Sequence, residues 1–436
     1  MDIVPSLSHK IKKICPNADY CLEYGIKTGE IKKIFGEYTN LSDVVRISSI
    51  GQPSINGFIR QLTYEKRLSP IEIYQSTGVL KSSQDIEGAD NLFYEYQVGV
   101  YLNYLSTLFP IFIKTRSLLF YTSKSAYNDV LLEKWASQSH AGHWLNQRLT
   151  SPDQQTFMDQ KQFMTDVCHQ KARIALLLET VKQPVTIENM IDQHDQTFIK
   201  YDICSLLFLI YGVLHTVRDH YTHYDLHGSN VLLIPCNDPS GYFTYNLHLY
   251  DTNGRHAQEI LIHSRYLPKI IDYGRNYYYF DAERNSPKFM DLLQHYRSIC
   301  EHGSGFDMLL QQNSSYITPG QRNMSHDLRL VKIISDSLKS VHPVLSDIDT
   351  RIVYQQEYGT PENLTTMDQN GHINNVTDMY NYLGRLYLDP NSKHIAFPEF
   401  PSNYTSFGTF DIHLTLDPGI SYIAHDFDDL PYIPVD

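Results

Sequence analysis

Residues 198–235 constrain this chain most. FIKYDICSLLFLIYGVLHTVRDH (198–220) is the strongest helix pattern in the sequence. Directly after it come a polar loop, HYDLHGSN (223–230), and an apolar run, VLLIP (231–235). The longest apolar stretch, LLFLIYGVL (206–214), falls short of the roughly 20 residues that span a bilayer, so it is predicted to be a core helix. A helix of that kind needs a large core around it. The chain has 436 residues. At roughly 150 residues per domain this allows two or three domains or lobes. With 42% hydrophobic and 19% charged residues, a disordered chain is excluded.

The flanking sequence changes texture along the chain. Residues 1–43 are mixed and partly basic (Lys10, Lys12, Lys13, Lys27, Lys32, Lys33) and are predicted to form a small helical extension. From Val44 short strand-like runs follow: VVRISSI (44–50) and GFIRQLTYE (57–65) flank the turn-rich GQPSIN, then QSTGVLKSS (75–83). NLFYEYQVGVYLNYLSTL (91–108) carries Leu92, Glu95, Gly99, Leu102 and Leu105 at helical spacing. PIFIKTRSLLFYT (110–122) returns to strand character, and polar, Gln-rich 123–170 is predicted to be a helical insertion. ARIALLLET (172–180) is short and continuously apolar, as in a buried strand. Helical patterns dominate afterwards, and an irregular tail packed on the surface is predicted from about His394. The fold class expected is α+β with two unequal lobes: a β-rich one over 44–180, an α-rich one over 181–393, then a tail over 394–436.

Charge and cysteine usage narrow the function classes. Against 36 Lys+Arg stand 49 Asp+Glu, a net charge of −13. No nucleic-acid partner is expected, because coating phosphates needs dense positive charge. The first residues show no apolar run behind a basic start, so no signal peptide is predicted. The six cysteines form no CxxC pair. Neither a disulfide framework nor a cysteine zinc site is expected, and a reducing, cytoplasmic location fits better.

The loop at 223–230 carries the chemistry. Its skeleton is H-x-D-L-x-x-x-N, with Asp225 and Asn230 five residues apart. In the catalytic loop of phosphoryl-transfer enzymes, a carboxylate orients the proton of an attacking hydroxyl and an Asn amide oxygen holds a metal. Downstream, Asp272-Tyr273-Gly274 follows an apolar strand, as in the D-F-G metal-binding turn, where the glycine would free the backbone. The stretch between is long and alternates like an added hairpin. Upstream, Lys81 follows Val79-Leu80 much as in V-A-I-K. Glu95 lies on an otherwise apolar helix face, where a carboxylate needs a partner, and Lys81 is the natural one. Gly51 and Gly57 are read as the first and third glycines of G-x-G-x-x-G, followed by Ile59, with Pro53 replacing the middle one.

With these elements in order, the chain resembles the protein-kinase-like superfamily over about 44–340. GVLKSSQDIEGADNLFYEYQVGVYLNYL, HYDLHGSNVLL and SRYLPKIIDYGRNYY are most similar to serine/threonine kinase-like proteins of large nucleocytoplasmic DNA viruses, the giant viruses. The resemblance implies a bilobal protein-kinase-like fold and an enzyme using ATP with Mg²⁺ (or Mn²⁺). It makes Asp225 the catalytic base, Asn230 and Asp272 the metal ligands, Lys81 the phosphate-binding lysine and Glu95 its ion-pair partner. Gly51 and Gly57 become part of a lid over the phosphates. Residues 174–178 become the strand entering a hinge, whose Glu179, Thr180 and Val181 offer backbone groups to adenine. His223 becomes a loop scaffold. Ser325 is a plausible N-cap, and Asp327 is either a buried anchor of the loop or a plain first-turn Asp.

The departures from the pattern matter. His227 stands where protein kinases usually carry the lysine that meets the γ-phosphate. D-L-H is familiar instead from small-molecule and atypical kinases. No A-P-E closes the activation segment, about 275–320, whose hydroxyls (Tyr277, Tyr278, Tyr279, Ser314, Ser315, Tyr316, Thr318) are candidate phosphorylation sites. The activity expected is protein serine/threonine phosphorylation. The alternatives are a kinase-fold transferase acting on a small molecule and a pseudokinase serving as a scaffold. A viral origin would place the protein in host cytoplasm or the virion.

Overall fold

The computed structural model describes residues 35, 38–50, 57–70, 72–82, 92–137, 140–151, 160–169, 171–181, 184–236, 238–250, 256–278, 295, 319–320, 322–353 and 371–415. The expected helical extension over 1–43 and the lid residue Gly51 lie largely or wholly outside them, as do Tyr279, Ser314, Ser315, Tyr316 and Thr318.

The described residues form an α+β fold. Its first part is a sheet of β1 (Val44–Ser49), β2 (Phe58–Ser69), β3 (Glu72–Ser82), β4 (Thr115–Tyr121), β5 (Leu149–Thr150) and β6 (Ile174–Glu179), in the order β1-β2-β3-β6-β4-β5. Every pairing in it is antiparallel. β6 explains its own apolar run. Ile174 and Leu176 enter one core while Ala175 and Leu177 enter another on the opposite face, so the strand is buried on both sides. Helix α1 (Leu92–Leu108) packs on the first face against β4 and β6. Its Gly99 permits that approach, since a Cβ there would lie 2.0 Å from Thr115 Oγ1.

The expected insertion at 123–170 is helical, with helices at Lys124–Leu131, Ala141–Asn146 and Gln160–Cys168. It is more than an appendage. Tyr127, Val130, Trp144 and Leu145 close the second core over Phe58, Leu62, Leu80 and Leu119, and β5 extends the sheet edge.

The long apolar helix is α2 (Ile203–Val217), entered through a π-helical turn at Phe198–Asp202. By length and composition the whole segment Phe198–Val217 could cross a membrane, but 89% of its most apolar window is buried within the protein. Asp202 anchors its start. Fully buried, it accepts from Ser264 Oγ (3.0 Å), Arg265 N (2.7 Å) and Arg265 Nη2 (2.7 Å). Burial raises the Asp202 carboxyl pKa, with the Arg265 guanidinium opposing.

Strands β7 (Val185–Thr186), β9 (Val231–Pro235) and β12 (Tyr266–Ile270) form a small sheet under α2, and β8 (Tyr221–Thr222) pairs with β13 (Tyr277–Tyr278). The added hairpin is present as β10 (Gly241–Tyr250) and β11 (His256–Ser264). The irregular tail needs correction. Within it, Thr405–Thr415 is a strand, β14, parallel to β10. Ile412 and Leu414 alternate into the core, a period-two signal masked by flanking Pro and Asp. The cysteines make no framework among the described residues, yet one bond is present. Cys168 is disulfide-bonded, whereas Cys204 and Cys236 are free and buried. Tertiary proximity, not CxxC spacing, decides such a bond.

Candidate functional site

The site lies where the six-stranded sheet meets the loops after α2 and β12. Lys81 projects from β3, and its Nζ donates to both Glu95 oxygens (2.8 and 2.7 Å) and to Asp272 Oδ1 (2.9 Å). The lone carboxylate on α1 therefore has the partner its burial demands. Burial by itself would lower the Lys81 ammonium pKa. The Asp272 and Glu95 carboxylates outweigh it and hold the group above its ordinary value. The Lys81 charge in turn holds the Asp272 carboxyl below the usual range.

The backbone brings Asn230 and Asp272 together. Val231 pairs with Ile270 across β9 and β12, and the Ile271 N–H continues that ladder to the Asn230 carbonyl (3.0 Å). Asp272 itself has φ +69°. This corrects the role given to Gly274, which is absent from the positive-φ residues. The turn's left-handed residue is the Asp, and Asp tolerates that region better than most side chains. Tyr273 below it is buried, and its hydroxyl donates toward the carbonyls of Ile113 (3.0 Å) and Ile270 (2.9 Å).

His223 ties loop to turn. Its Nδ1 accepts from the Asp225 N–H (3.2 Å), so the hydrogen-bond pattern assigns the proton to Nε2, which donates to the Ile271 carbonyl (2.9 Å). Burial pushes its pKa down to about 4, so the ring is neutral at pH 7. From below, buried Asp327 accepts the N–H groups of His223 (2.8 Å) and Tyr224 (3.0 Å). Between its two readings, geometry selects the anchor. The same contacts hold Tyr224 at φ +63°. Burial pushes the Asp327 carboxyl up to about 7, against the two backbone N–H bonds. Ser325 precedes the short helix His326–Leu328, but its side chain does not cap that helix. It donates to the Asn374 carbonyl (2.6 Å) instead.

Asp225 is held by groups the sequence reading missed. Arg275 Nη1 reaches Oδ2 (3.0 Å) and Arg329 Nη1 reaches Oδ1 (2.6 Å). Arg275 follows D-Y-G directly, which was an available signal. Arg329 opens the helix Arg329–Leu338 and carried none. His227 Nε2 is 3.9 Å from Asp225 Oδ1 and half-buried. Burial lowers its pKa against the pull of Asp225.

Two nucleotide-site assignments narrow. Of the backbone groups Glu179 was expected to offer, the N–H is bonded to the Lys114 carbonyl (2.8 Å). Its carboxylate lies in a buried pair with Lys269 Nζ (3.2 Å). A buried ion must be paired, and that pairing decides where the side chain goes. Thr180 and Val181 continue toward β7, both buried. Gly57 has φ +133°, a conformation that suits glycine at the start of β2. It also stands six residues after Gly51, where the outer glycines of G-x-G-x-x-G are five apart, so it falls out of the lid's register.

The donor set suits a hard cation. Asn230 Nδ2 donates to the Asp225 carbonyl (2.9 Å), which leaves the amide oxygen as the remaining acceptor. With the Asp272 carboxylate this puts two oxygen acceptors on adjoining backbone, the donor chemistry Mg²⁺ prefers. No family model matches this chain, and no curated protein matches it.

Proposed function

We propose that the protein has a bilobal protein-kinase-like fold and is an ATP-dependent phosphotransferase acting on a hydroxyl, with protein Ser/Thr side chains as the first acceptor class. One observation carries the reading: Lys81 bridges Glu95 and Asp272, with Asn230 and Asp225 on the adjoining loop. A lysine on the third strand, its helix glutamate, a loop Asp and Asn, and a turn Asp are the parts that phosphoryl transfer requires. The chain supplies all five in order.

Mg²⁺ with ATP would supply the transferable phosphoryl group and neutralise its charge, held by Asn230 and Asp272. Lys81 would bind phosphate oxygens. Glu95 keeps that ammonium charged and aimed. Asp225 orients the acceptor hydroxyl and receives its proton, which requires the carboxylate to exchange a contact with Arg275 or Arg329. Those two arginines bring positive charge to the region where His227 replaces the usual lysine. Positioning and charge stabilisation, not covalent chemistry, carry such a reaction.

His227 also supports a second reading, a small-molecule hydroxyl as acceptor, because the usual lysine is missing. The deciding experiment is incubation with γ-labelled ATP and Mg²⁺, alone and with protein acceptors, comparing wild type with Asp225→Asn. Label on Ser or Thr that disappears in the variant supports the first reading. A Mg²⁺-dependent melting shift with ATP but no protein label supports the second. Neither label nor shift refutes both.

A further inference from the structure

The outer sheet, in the order β11-β10-β14, carries a cluster that the phosphotransferase reading does not use. Register puts His248 on β10 opposite Glu259 on β11 and opposite His413 on β14. His248 Nδ1 lies 3.4 Å from Glu259 Oε1, and His256 Nε2 lies 3.7 Å from the same oxygen. One ligand atom from each of the three residues falls within 4.8 Å of the others. Ligands about 2.0–2.2 Å from a tetrahedral zinc ion stand about 3.3–3.6 Å apart. The 3.4 Å separation falls in that range, the 3.7 Å one lies just above it, and a small closure of the exposed His256 and Glu259 side chains would bring all three atoms onto one ion.

The far side of His248 strengthens the case. Its Nε2 is 3.1 Å from Asp411 Oδ1 on β14 and 3.0 Å from Asn246 Nδ2, which itself donates to that oxygen (3.1 Å). A proton assigned to Nε2 and donated to that carboxylate leaves Nδ1 as the lone-pair nitrogen that a metal takes. The His413 ring stacks on His248 at 4.7 Å and 15°, which holds the imidazole plane. His248 is thus anchored, with a side chain 15% exposed, while His256 and Glu259 are 45% and 54% exposed and can close on an ion from solvent.

We propose that His248 Nδ1, His256 Nε2 and a Glu259 carboxylate oxygen form a mononuclear site for a zinc-class divalent ion. Asp411 is the positioning carboxylate, and water takes the fourth position. The ion would clip the β10–β11 hairpin, with β14 tied in through Asp411. The proposal is independent of phosphoryl transfer.

The test uses the full chain, stripped with a chelator and titrated with Zn²⁺ against a chromophoric competitor. Co²⁺ absorption reports coordination geometry. Wild type should bind one tight equivalent and melt at a higher temperature with zinc. Asp411→Asn should weaken binding by about 10–100-fold. His256→Ala and Glu259→Gln should each weaken it by at least as much. Both of these side chains are exposed, and circular dichroism verifies that the variants fold. No stoichiometric equivalent in wild type, or an equivalent that survives the His256→Ala/Glu259→Gln double variant, overturns the site.

Discussion

Two polar clusters in this molecule were built by opposite rules. The inner one joins Lys81, Glu95 and Asp272, with Lys81 and Asp272 separated by 191 residues of chain, and its Glu95 side chain is 3% exposed. The outer one joins His248, His256 and Glu259 from a single hairpin, and two of its three members face solvent. A buried charge must be paired or it destabilises the fold. A glutamate on an apolar helix face therefore announces a partner somewhere in the chain. An exposed His or Glu on a strand needs no partner, so nothing in the sequence marks it. Burial makes a cluster readable, and exposure hides it.

The comparison can be broken most severely at Asp225. Asp225→Asn is expected to lower phosphoryl transfer by about 10²–10⁴-fold while the ATP-dependent melting shift persists. Undiminished turnover in a labelled-phosphate assay would remove the inner cluster's claim to chemistry. Next is Lys81→Met, which strands Glu95 and Asp272. It should cost about 3–5 kcal/mol in urea unfolding. Adding Glu95→Gln should recover part of that loss, and a strictly additive double mutant would mean that the pair is not coupled.

Acid stability sharpens the contrast further. His223 and His326 are buried, with pKa pushed down to about 4 and about 3. Between about pH 6.5 and 4 the unfolded chain binds protons that these native rings refuse, so both make stability fall as pH falls. Asp327, pushed up to about 7, binds a proton that the unfolded chain does not take until about pH 4, and so works the other way. Asp327→Asn should therefore steepen the loss of stability from pH 6.5 to 4.5, read as the slope of urea-unfolding free energy against pH. An unchanged slope would show that Asp327 does not titrate there. The smallest effect belongs to the outer cluster. Without zinc, His256→Ala should shift stability by no more than about 0.5 kcal/mol in the same measurement.

How much could be read beforehand follows the same division. Glu95 was readable because an apolar helix face leaves a charged residue few roles, and Lys81 and Asp272 because each stands in a short motif at the expected place in the order. Asp327 was readable only as one of two options, since a first-turn Asp looks alike whether it anchors a loop or faces water. Arg329 on Asp225, and Lys269 on Glu179, were not readable at all. Each is an ordinary basic residue until the chain brings a carboxylate to it from far away.

By itself the sequence determined a core helix within 198–220, a buried strand within 172–180, and the order of polar loops around them. Those depend on local periodicity and on where apolar side chains can go. Only the tertiary structure decided that Thr405–Thr415 would pair with Gly241–Tyr250, and that Asp272 would hold the turn's positive φ. It alone also decided that Glu179 would face Lys269 and that His248 would meet Glu259 and Asp411. Such contacts join residues whose local patterns are compatible with many partners, and packing and register select one.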